Sequence, residues 1–130
     1  MMPITPLFAA IFGVMYVVLS FAVIKLRFKG QVSLGDGGDG ELEKAIRVHG
    51  NFAEYVPFTL LLLWFVEQLS SSVGFVLILS VVLLVSRVSH CIGMVKPGSL
   101  TFRKFGMIGT FLVILISSIS LLYLYIASIV

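Results

Sequence analysis

At 130 residues, 59% of them hydrophobic and only 12% charged, the chain has too few polar side chains to cover a water-soluble surface. Its net charge of +3 forms neither a basic face nor a basic stripe interleaved with aromatics, which excludes a nucleic-acid binder. A single cysteine, Cys91, excludes an internal disulfide and CxxC chemistry, and its apolar surroundings favour a buried, inert thiol.

The first apolar segment runs from about Pro6 to Leu26, long enough to span a bilayer at roughly twenty residues. No Lys or Arg precedes it, and positive charge arrives only afterwards at Lys25, Arg27 and Lys29, so it reads as a retained helix and not as a secretory signal. The polar stretch from Arg27 to Gly40 reads as a flexible loop in which Asp39 caps the next helix, with Glu41 and Glu43 in its first turn. A phosphate loop is excluded by the missing lysine and Ser/Thr, and a calcium loop by an incomplete ligand pattern.

The second helix is predicted from Glu41 to about Leu69, kinked at Pro57 and long enough to project past the hydrocarbon on the loop side. Ser70, Ser71 and Ser72 make a short turn into a third helix over about Val73 to Val95, which stops before Pro97, Gly98 and Ser99. The fourth covers about Thr101 to Ser128 and is almost purely apolar after Lys104. The expected fold is an all-α membrane protein: one domain over residues 1–130, a four-transmembrane-helix up-down bundle. Eight of the nine Lys and Arg residues flank the first and third loops. The positive-inside rule then puts those loops in the cytoplasm and both termini outside.

Ionisable groups inside a span are functional candidates. Arg47, Asn51, Glu54 and Tyr55 fall on one face of the second helix, whereas His49 points away from that stripe by about 160°. Arg87, His90 and Met94 share a face of the third helix. Antiparallel helices set Glu54 and Arg87 at comparable depth, and a contact between them is predicted because an unpaired charge there is expensive. For that pair alone, a structural role and a ligand-binding role are equally open. A structural role does not suffice for the whole stripe, which ends in a cation cluster at one membrane surface. Arginines converging with Asn, Tyr and His suit a ligand bearing carboxylates, which guanidinium meets with a two-pronged hydrogen bond. No metal site is read from the sequence.

The segment Glu43 to Pro57, with its R-x-x-x-N-x-x-E-Y-x-P core at Arg47, Asn51, Glu54, Tyr55 and Pro57, resembles the second-helix signature of the MAPEG superfamily, the membrane-associated proteins in eicosanoid and glutathione metabolism. Ser86-Arg87-Val88-Ser89-His90 resembles the third-helix G-R-x-x-H of the same family, with Ser86 in place of the glycine. Length and short loops are most similar to the small bacterial members, for which a bacterial inner membrane is the implied location. The resemblance implies a homotrimer with glutathione as cosubstrate between neighbouring subunits near the cytoplasmic surface. It assigns glutathione binding to Arg47, Asn51, Glu54, Tyr55, Arg87 and His90. It gives Arg103 the role of stabilising the glutathione thiolate, because a neighbouring cation lowers a thiol pKa. Lys104 competes for that role, since a one-residue shift in the third loop exchanges the two. Met94 stands where eicosanoid-type members place a tyrosine, so leukotriene or prostaglandin synthesis does not carry over.

The leading functional expectation is therefore a membrane glutathione transferase, with possible peroxidase activity, acting on lipophilic electrophiles or lipid hydroperoxides that arrive from membrane lipid. A non-catalytic lipid- or glutathione-binding protein is the first alternative. A small multidrug transporter is remote, since those exporters use a first-helix carboxylate that is missing here.

Overall fold

The computed structural model describes residues 3–70, 72–96 and 99–129, folded into four helices: α1 (Thr5–Gly30), α2 (Gly40–Leu69), α3 (Val73–Val95) and α4 (Leu100–Ala127). All four are long and apolar enough to cross a membrane. The expected turn residues Ser71, Pro97 and Gly98 lie outside the described residues. Helix α2 contacts each of the other three, and α3 packs most extensively on α4.

The core is set by helical stripes. On α2, Val48, Phe52, Val56, Thr59, Leu63 and Val66 recur three or four residues apart and are buried; on α3 the stripe is Val76, Leu79, Leu83, Arg87 and His90. Phe12 of α1 meets Phe52 edge-on, at a centroid distance of 6.0 Å. Outside these stripes the surface is apolar, with Phe21, Phe65, Val85, Phe111, Leu115 and Leu122 among many exposed hydrophobic side chains. That surface suits lipid and would be insoluble in water.

Small residues let α3 and α4 approach closely. A Cβ added at Gly106 would collide with the backbone of His90 and Ser86, and one added at Gly93 would strike the backbone nitrogen of Arg103. The Ser86 hydroxyl occupies the space a side chain at Gly109 would need. Ser86, where the family pattern has glycine, is thus accommodated by a glycine on the facing helix. Ser89 donates from Oγ to the Phe102 carbonyl at 2.8 Å, adding a polar clasp at the same crossing.

Helix ends are satisfied by side chains. Asp39 accepts from the amides of Glu41 (2.9 Å) and Leu42 (3.4 Å), the cap expected from sequence. The preceding loop is more organised than expected. Gln31 takes a left-handed conformation (φ 52°), and Arg27 donates to the carbonyls of Val32, Ser33 and Gly35, the last at 2.9 Å. Asp36 accepts from the Gly38 amide, so this segment is folded on itself instead of hanging free. At the other end of the bundle, Glu67 of α2 accepts from the amides of Ile4 and Thr5, an anion placed on the first turn of α1.

Gly106→Ala is expected to destabilise the protein by about 1–3 kcal/mol, because the new methyl meets backbone atoms that cannot move aside independently. Unfolding in detergent checks this, with Gly74→Ala as the control at a glycine that has open space.

Candidate functional site

Arg87 is the centre of the polar interior. Its side chain is 1% exposed. Nη1 donates to Asn51 Oδ1 at 2.8 Å, and Nη2 lies 3.3 Å from the Gly106 carbonyl and 3.6 Å from the Met107 sulfur. Nε has no partner among the described residues. One guanidinium therefore ties α3 to α2 and α4, through neutral acceptors only. Gly106 makes this possible: its missing side chain brings the α4 backbone within reach of α3, and its carbonyl also accepts from Thr110 Oγ1 at 2.8 Å.

The ion pair expected between Glu54 and Arg87 is not formed. Glu54 is exposed, and the ion pair found among the described residues is Lys44–Glu41 at 2.9 Å. Asn51 stands level with Arg87, whereas Glu54 lies three residues on, about 4.5 Å further along the axis and rotated about 60° around it. Comparable depth was too coarse a criterion to choose the partner.

The α2 stripe is divided as a result. Asn51 and Tyr55 face the bundle: Asn51 holds Arg87, and the Tyr55 ring packs edge-on against Phe111 of α4 at 5.5 Å. Arg47 and Glu54 are exposed. His90 is 4% exposed and lies beneath Gly106, so Arg87 and His90 are both sealed within the single chain. Met94 is half-buried one turn further on. Arg103 and Lys104 are both exposed near the start of α4. Close contact between Gly93 and the Arg103 backbone sets the α3–α4 register there.

His49 turns away from this group, as its helical angle requires. It lies 3.1 Å from Ser20 Oγ and stacks on Tyr16, with ring centroids 4.8 Å apart. Because the Ser20 hydroxyl donates to the Tyr16 carbonyl at 2.8 Å, it is placed to accept from His49 Nε2–H. This polar contact between α1 and α2 had no sequence signal beyond two lone polar residues. Gly106 and Met107 were also missed as partners of Arg87; the small residues Gly106, Gly109 and Thr110 were the available sign of a close crossing.

The MAPEG family profile matches residues 5–123. The chain belongs to the MAPEG family. It is 34% identical over 113 residues to the inner membrane protein YecN of Escherichia coli strain K12, covering 87% of this chain and 86% of that protein. The YecN of Escherichia coli O6:H1 matches to the same extent. Family membership makes the chain a membrane protein of the glutathione and eicosanoid metabolism superfamily, consistent with its four membrane-length helices.

A double-mutant cycle of Asn51→Ala with Arg87→Met is expected to give a coupling of about 0.5–3 kcal/mol, whereas Glu54→Gln with Arg87→Met adds to within about 0.5 kcal/mol. Unfolding in detergent measures both, and strong coupling at Glu54 would restore the rejected ion pair.

Proposed function

We propose that this MAPEG protein binds glutathione on the exposed flank of α2 and transfers it to lipophilic electrophiles. The observation that carries this reading is the outward presentation of Arg47 and Glu54 on a membrane-length helix whose inner flank is held by Arg87. A charge facing hydrocarbon is expensive, so exposed ionisable groups at such positions call for a cover that complements them. Glutathione has the required chemistry. Its carboxylates suit the guanidinium of Arg47, and its ammonium group suits the carboxylate of Glu54. Arg87 has no carboxylate partner, so its uncompensated charge favours an anion bound nearby.

In this reading Asn51, Tyr55 and Arg87 are positioning residues that fix the α2 flank from within, and His90 packs behind them against Gly106. Arg103 supplies the cation that stabilises the thiolate, raising the nucleophilic fraction at neutral pH. Lys104, exposed beside it, is the competing cation. The electrophile is a lipophilic compound or lipid hydroperoxide reaching the thiolate from the bilayer. A second copy of the chain, in a homotrimer, completes the cover over Glu54. An inner-membrane location follows the name of the YecN relatives, with the first and third loops in the cytoplasm by the positive-inside rule.

Thiolate absorbance on adding glutathione to the detergent-purified protein tests the assignment. Wild type is expected to develop the thiolate band and to turn over a model electrophile. Arg103→Ala should lose both by roughly one to two orders of magnitude, while Lys104→Ala keeps them. Glutathione binding without thiolate or turnover in wild type would point instead to a non-catalytic binding protein.

A further inference from the structure

A groove along the α1–α2 seam has no part in the site described above. It consists of two adjoining cavities of about 300 and 340 Å³, with Ala9, Pro57 and Leu60 lining both. Phe12 and Phe52 belong to the wall of the inner cavity, and Thr5 and Trp64 to that of the outer one. Its α2 residues centre roughly opposite Asn51 and Tyr55 and about 100° around the helix from Glu54, and neither Arg47 nor Glu54 lines it.

We propose that this groove holds one acyl chain of a membrane phospholipid, with the lipid's ester region at the Thr5 end. Three observations carry this. First, the groove is nearly all apolar and opens on the outer surface of the bundle. Its α1 wall is lowered by two small residues one turn apart, Ala9 and Gly13, and a side chain added at Gly13 meets nothing within 4 Å. Second, from Thr5 to Tyr16 it spans eleven residue steps, about 16 Å of helix, close to one leaflet of a hydrocarbon layer about 30 Å thick. Third, the outer end carries the only unmet polar demand along its walls among the described residues. Thr5 is 4% exposed, yet its Oγ1 has no hydrogen-bond partner. A buried hydroxyl left this way is costly, and an ester oxygen accepts what it offers. Trp64 beside it is an amphipathic ring of the kind enriched at membrane surfaces.

Trp64 is the sole tryptophan of the chain, which makes the groove directly observable. The full-length protein is reconstituted with phospholipids bearing brominated acyl chains, and Trp64 fluorescence is followed as their fraction rises. Wild type is expected to show a saturable quenching component at low brominated lipid, above the gradual quenching by bulk lipid, and to retain phospholipid through detergent washing. Gly13→Leu, which fills the groove, should abolish that component, and Thr5→Val should weaken it. Ala9→Leu makes the same comparison if Gly13→Leu does not fold. Purely gradual quenching in wild type, or saturable quenching unchanged in the filled variants, overturns the proposal. So does a loss of oligomer mass in the filled variants with lipid retention unchanged, which would assign the groove to a second copy of the chain.

Discussion

A guanidinium sealed inside an apolar bundle has to be satisfied from within, and the bundle around Arg87 is arranged to meet both terminal nitrogens, leaving Nε without a partner among the described residues. The group is met by an amide oxygen on α2, a backbone carbonyl on α4 and a thioether. Each demands a particular geometry: Asn51 level with Arg87, and an α4 backbone close enough to expose the Gly106 carbonyl. The glycine and serine contacts between α3 and α4 supply that closeness. Packing within lipid has no water-driven force behind it, so such close backbone approach and buried hydrogen bonds carry much of the specificity.

Locking Asn51 inward fixes the rotation of α2, and through it the outward placement of Arg47 and Glu54. Two kinds of polar residue in one motif thereby acquire different physical tasks. The inner ones hold the helix, and the outer ones remain available to something outside the chain. A ligand or a neighbouring subunit that covers Glu54 removes the penalty of an exposed carboxylate. The positive charge left unbalanced at Arg87 adds to that of Arg47 and Arg103 in favouring an anion on this side of the molecule.

The four spans were legible because apolar runs of membrane length leave little alternative, and the Asp39 cap because its position before Glu41 and Glu43 has a direct electrostatic reason. The motif residues were legible as a stripe, since helical angle follows from spacing. Their partners were not. Choosing Asn51 over Glu54 for Arg87 depends on the depth and rotation at which α3 meets α2, to within one helical turn. The folded loop after α1 escaped notice because Arg27 reaches carbonyls up to eight residues on, and composition says nothing about backbone acceptors. Glu67 on the amides of Ile4 and Thr5 joins residues more than sixty positions apart, a contact that only the assembled α1–α2 pair reveals.

The central claim is that the exposed flank of α2 binds glutathione, and the most direct measurement is the unfolding midpoint of the detergent-purified protein with and without millimolar glutathione. A ligand that binds only the folded state must raise the midpoint. The account predicts a clear rise in wild type that is lost in Arg47→Ala, a variant whose own midpoint without ligand is unchanged because the side chain is exposed. No rise in wild type at saturating glutathione, or an equal rise in Arg47→Ala, would contradict it.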